Sequence, residues 1–245
     1  MSPKRSLWYT FIALTLSSVL ILPIMTACGS GKDKNTPTPT ATTTSISTAA
    51  PTVTPEATVT GNEGALPILS VGDKWVMKII SGGNEFTATT EVIGEEVVDG
   101  KDCYIATISM DPYSGKEWVD KTTLFPIKDE SSGGTTTYSY QFVGDMLYPL
   151  QMKKECQVVQ TITTTIKETG ESNTETNTYM FKVENIEQIT VPAGTFKCFK
   201  IVMYDKDGTP VTTKWESDET KLYMVKGVDP QNNVTTELVS YSVSK

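Results

Sequence analysis

The chain has 245 residues, with 21 Lys plus Arg against 29 Asp plus Glu, four cysteines, no histidine, and a hydrophobic fraction of 38% of which aromatic residues make up 9% of the chain. Without histidine there is no Ser-His-Asp or Cys-His nucleophile, no imidazole acid or base, and no His-bearing zinc or iron site. A formal charge of −8 and a pI near 4.7 argue against a phosphate-backbone binder, so no nucleic acid partner is expected.

Residues 1–27 read as a lipoprotein signal peptide. Lys4 and Arg5 form a positive n-region, and an uncharged apolar run extends from Leu7 to Met25. The run is long enough to span a membrane. Its ending decides otherwise: Met25, Thr26, Ala27 and Cys28 resemble the lipobox at which exported lipoproteins are cleaved. The resemblance implies diacylglycerol on the Cys28 thiol, and so an extracytoplasmic protein held to the cell membrane by covalent lipid. At about 0.8 kcal/mol per buried methylene, two or three acyl chains anchor stably where one does not. Cleavage would remove Lys4 and Arg5 but no acid, leaving 19 basic against 29 acidic residues, a charge of −10. Anionic headgroups repel such a surface.

Residues 28–64 form the anchor and a low-complexity linker. Between Thr36 and Thr60 stand eleven Thr and four Pro, with Glu56 the one carboxylate. Too little apolar surface is present to offset chain ordering, and the prolines favour extended polyproline II backbone, so the tract is expected to be a disordered stalk. Fully extended, it reaches about 110 Å. Its Thr and Pro content also permits O-glycosylation.

Residues 65–245 suffice for one domain with its own core. Thr, Val, Ile, Tyr and Phe alternate in period two, and helical periodicity is absent. Strands are expected at Trp75–Ile80, Phe86–Ile93, Cys103–Met110, Tyr138–Val143, Cys156–Ile166, Tyr179–Ile189, Cys198–Tyr204, Leu222–Lys226 and Val234–Val243. Gly82-Gly83, Asp99-Gly100, Ala193-Gly194 and Asp207-Gly208 supply the positive φ that hairpin turns need.

The domain also resembles itself. Leu69–Trp75 matches Leu150–Cys156, Val97–Asp111 matches Val191–Asp205 with Cys103 answering Cys198, and Lys116–Lys128 matches Thr213–Lys226 with Trp118 answering Trp215. Three matches in one order point to two duplicated β units, residues 66–130 and 147–229. The expected fold is mainly β, a curved antiparallel sheet or half-barrel with little helix.

GDKW at Gly72–Trp75, VPAGTFKC at Val191–Cys198 and the run Trp118–Pro126 resemble exported lipoproteins of the lipoprotein-sorting half-barrel group, which includes the LolA and LolB carriers and mycobacterial lipid-binding lipoproteins. That resemblance implies a curved sheet holding an acyl chain against apolar side chains. The sequence departs from the group in lacking an obvious helix to cover the concave face.

Three cysteines besides Cys28 are an odd number for an oxidising compartment. Cys103 and Cys198, at equivalent positions of the two units, are the candidate disulfide; the alternatives are another pairing, or three buried hydrophobes. Tyr138, Tyr140 and Phe142 project from one strand face, and with Trp75, Trp118, Trp215 and Tyr223 they would wall an apolar ligand groove; the other reading is that they are core. Asp205, Asp207, Gly208 and Glu216 only superficially resemble a calcium loop, since Pro210 stands where an EF-hand needs Gly. Neither metal nor cofactor is expected. The composite expectation is a non-catalytic, lipid-anchored envelope protein that binds a hydrophobic or lipid ligand. Its rivals are an envelope scaffold or protein-interaction module with an unknown protein partner, and a carboxylate-based hydrolase.

Overall fold

A computed structural model describes residues 63–245. The expected signal peptide, Cys28 and the expected linker as far as residue 62 lie outside the described residues. Fourteen strands follow in order: β1 Glu63–Gly64, β2 Lys74–Ser81, β3 Asn84–Val98, β4 Lys101–Met110, β5 Tyr113–Asp120, β6 Pro126–Ser131, β7 Gly134–Val143, β8 Leu150–Gln151, β9 Glu155–Ile166, β10 Ser172–Val191, β11 Gly194–Tyr204, β12 Pro210–Ser217, β13 Tyr223–Asp229 and β14 Val234–Ser242. Among the described residues the single helical turn is a 3-10 turn at Asp218–Thr220.

Twelve strands close into an antiparallel barrel, and β1 pairs with β8 apart from it. Closure corrects the expectation of an open curved sheet or half-barrel. The reason lies in two seams: β14 pairs β2 from Val234↔Ser81 to Ser242↔Lys74, and β7 pairs β9 from Gly134↔Ile166 to Val143↔Gln157. With both made, no barrel edge is left to template aggregation.

Strand alternation sets the interior. Trp75 and Met77 on β2, Ala88, Thr90 and Val92 on β3, Tyr104, Ala106 and Ile108 on β4, and Val158 and Ile162 on β9 are all buried. Twelve strands enclose more space than the eight whose own side chains fill a barrel. Two loops supply the difference. Leu124 and Phe125, between β5 and β6, and Leu147, Tyr148 and Leu150, ahead of β9, are buried. Phe125 lies edge-on to Tyr140, Phe142 and Phe181, with ring centroids 4.9, 5.4 and 5.8 Å away. From the second loop, Tyr148 donates from its hydroxyl to Glu216 at 2.8 Å.

The barrel divides into two six-strand meanders, β2–β7 and β9–β14. Their irregularities match. Bulges interrupt β3 between Val92 and Gly94 and β10 between Val183 and Asn185, and β5 and β12 break register after Trp118 and Trp215. Trp118 donates from its indole to Glu96 at 2.7 Å, and Trp215 does the same to Glu187 at 2.5 Å. Cys103 lies opposite Glu96, and Cys198 opposite Glu187.

Candidate functional site in the barrel interior

On β5, alternation turns Tyr113, Gly115, Glu117 and Val119 to one face, the inner one, because Glu117 pairs with the inward Ala106 and Val119 with the inward Tyr104. The next ladder sets Glu117 directly across from Asp129 on β6. Beyond it Tyr138, Tyr140 and Phe142 of β7 pair with Ile162, Gln160 and Val158 of β9. Two carboxylates, two phenols and an amide thus share one wall of the interior.

Tyr138 donates from its hydroxyl to Asp129 Oδ2 at 2.5 Å, and Gln160 Nε2 donates to the Tyr140 hydroxyl at 3.3 Å. The Tyr138 and Tyr140 rings run nearly parallel, 6.5 Å apart. At the β4–β5 hairpin end, Tyr113 lies over Gly115: a Cβ there would stand 2.7 Å from the Tyr113 hydroxyl, which bonds with Ser131. Glu117 is 0% exposed. Both of its carboxylate oxygens, Asp129 Oδ1 and Gln160 Oε1 are buried without a hydrogen-bond partner.

Burial, reinforced by the charge of Asp129, pushes the Glu117 carboxyl well above the usual range. Burial also raises Asp129 to about 7, against the opposing pull of the Tyr138 hydrogen bond. Burial first and the neighbouring acids second raise the phenols of Tyr138, Tyr140 and Tyr113, though for Tyr140 the Gln160 bond opposes the rise. Two acids facing one another in low dielectric resist carrying two charges, so the pair retains a proton into the neutral range. The second meander handles the equivalent place differently. The residue before Trp215 is Lys214, whose ammonium meets Glu216 at 2.6 Å. Charge is balanced there and unbalanced at Glu117.

The aromatic residues predicted to wall one groove separate into three groups. Tyr138, Tyr140 and Phe142 share the inner face of β7. Trp75 and Tyr223 stack 4.4 Å apart within the core, where Trp75 donates to the Thr220 carbonyl and Tyr223 to the Thr90 hydroxyl. Trp118 and Trp215 occupy the face of their strands opposite Glu117 and Lys214, and Trp118 packs with Cys103 and Ile127 beneath the Lys128 ammonium.

Cys103, Cys156 and Cys198 are free, buried thiols. The structure therefore lacks the expected Cys103–Cys198 bridge. The two lie on β4 and β11, six strands apart whichever way the barrel is followed, and a disulfide needs Cα atoms within about 7 Å. Cys103 instead donates to the Lys101 carbonyl and Cys198 to the Phe196 carbonyl. Burial raises all three thiols, Cys198 to about 12. Asp205 holds a turn, accepting the amides of Asp207 and Thr209. Cys28 lies outside the described residues.

Sequence reasoning missed Glu117, Asp129 and Gln160. The available signal was Glu117 in phase with Tyr113 and Val119, legible only once β5 and β6 are recognised as strands.

A family model described as DUF3108-like matches residues 76–237. Among solved structures, the chain is similar to a Bacteroides fragilis protein described as exported with a YmcC-like fold: 9% identity, TM-score 0.37, 73% of this chain and 99% of that one covered. It is also similar to a Parabacteroides distasonis protein described as a lipoprotein: 14% identity, TM-score 0.33, the same coverage. None of these matches is described as a LolA or LolB carrier. No curated protein matches.

Proposed function

This chain belongs to the DUF3108-like family, and we propose that it is a non-catalytic envelope lipoprotein, anchored through Cys28, whose barrel is a display module for a protein partner. One observation carries this reading: a loop of the chain itself packs Leu124 and Phe125 into the barrel against its inner aromatic face. Phe125 packs edge-on against Tyr140, Phe142 and Phe181, covering the aromatic face that a carrier would have to leave open. Recognition then falls to the outside. Ile68 and Val71 are 80% and 65% exposed, and the hydrogen bond from Gly72 to the Val92 carbonyl brings Val71 towards the exposed Ile93. The matched bulges and Trp–Glu bonds further support an origin of the two meanders by duplication of one unit.

A second reading, capture of a hydrophobic ligand, is favoured by the partial exposure of Tyr140 and Phe142 on the inner face of β7. Native mass spectrometry of the protein released from membranes, followed by organic extraction, decides between them. A mass without copurifying acyl species, together with diacylglycerol on the Cys28 peptide, is expected. A near-stoichiometric bound lipid would overturn the display reading.

A further inference from the structure

We propose that Glu117, Asp129 and the Gln160 side-chain carbonyl bind a hard divalent cation, of the calcium or magnesium class, inside the barrel. With the acid pair ionised, the bare polar atoms of this wall all have the same sense. Glu117 Oε1 and Oε2, Asp129 Oδ1 and Gln160 Oε1 are acceptors, all buried and all without a donor. A native interior rarely leaves one such atom unsatisfied, and four together call for something that brings positive charge or donors.

The chain supplies no cation here. Lys128, next to Asp129, occupies the outer parity, where it pairs with Glu130 at 2.6 Å and covers the Trp118 ring. Lys214, the counterpart of Glu117 in the second meander, neutralises Glu216 instead. Two facing carboxylates match the charge of one divalent ion. An all-oxygen donor set in a chain without histidine selects calcium or magnesium over zinc or copper.

The surroundings are those of a ligand shell. Tyr138 holds Asp129 by Oδ2 and leaves Oδ1 to bind, and the hydrogen bond from Gln160 Nε2 to the Tyr140 hydroxyl orients the Gln160 amide with Oε1 left unpartnered. Among the described residues no three acids or thiols converge, so the site rests on two carboxylates and neutral oxygens. That charge count places the affinity in the weak class, about 10⁻⁴ to 10⁻³ M.

The test is thermal unfolding of the full-length, chelator-treated protein with CaCl2 or MgCl2, against NaCl of equal ionic strength. A saturable stabilisation by the divalent ion alone is expected. At about a hundred times Kd it lowers the unfolding equilibrium constant about a hundredfold. Glu117→Gln and Asp129→Asn remain folded and lose that response. Terbium provides a second readout independent of stability, since Tyr138 and Tyr140 stand beside the site to sensitise its emission. Wild-type protein should give tyrosine-excited emission that calcium displaces, and both variants should lose it. Absence of divalent stabilisation in the wild type, or terbium emission unchanged in both variants, overturns the assignment.

Discussion

Replacing Asp129 by Asn should stabilise the metal-free protein at neutral and alkaline pH. The wild-type carboxyl titrates near 7 in the folded chain, against an ordinary 3.8. The folded state therefore holds a proton that the unfolded state releases between those values. Stability is greatest below about pH 4, falls as pH rises through that window, and levels off above about 7. A shift of about three units at 1.36 kcal/mol each makes the penalty about 4 kcal/mol at pH 8. Asparagine cannot ionise, keeps an oxygen for the Tyr138 hydroxyl, and offers an amide to the unpartnered Glu117 oxygens. Urea unfolding in chelator should thus show Asp129→Asn more stable by about 4 kcal/mol at pH 8, a rise in Tm of about 10 °C, with the advantage nearly gone at pH 4. An equal advantage at both pH values, or none at pH 8, would refute the reasoning.

Asp73 should show the opposite pH dependence. It is 1% exposed, accepts the backbone amides of Ser70 and Ser244, and meets Lys221 at 2.7 Å. Burial tends to raise its pKa, but the hydrogen bonds from Lys221, Ser244 and Ser70 outweigh it and bring the carboxyl below its usual value. Its stabilisation is present above about pH 4 and is lost as pH falls through the lowered folded value. Asp73→Ala should cost about 3–5 kcal/mol at pH 7, checked by denaturant midpoint. Phe125→Ala removes the ring that packs on Tyr140, Phe142 and Phe181 and should cost about 3–5 kcal/mol. A loss under about 1 kcal/mol would show that the barrel does not need its plug. Cys103, Cys156 and Cys198, buried with raised pKa, should ignore a thiol reagent in the folded protein and all react in denaturant. Fast native labelling would contradict their burial.

The fold class was legible because alternation is local. Phe86–Ile93 and Cys156–Ile166 follow the two-residue period closely enough to be read one segment at a time. Three barrel strands escaped notice for physical reasons. β5 carries a buried acid where the pattern demands an apolar residue, β6 begins at Pro126, and β12 spaces its apolar residues with Thr and Lys. Closure was illegible too, since the pairing of Lys74 with Ser242 depends on how all twelve strands tilt and twist. Tyr138, Tyr140 and Phe142 share one face of β7, because residues in period two on one strand point the same way. Its acidic neighbours could not be placed, because Glu117 and Asp129 meet only through a register.

The β2–β14 seam has a consequence for how the barrel is made. Eleven of its twelve strand pairings join neighbours in the chain or span one short loop, and those hairpins form locally. The twelfth brings residue 74 to residue 242. Such a contact forms late, because closing a loop that long is entropically unfavourable until most of the sheet exists to reward it. A chain delivered N-terminus first would hold β2 as an open edge until β14 emerges. Over that interval β2, with buried Trp75 and Met77, is the segment most in need of shielding from other unfinished chains.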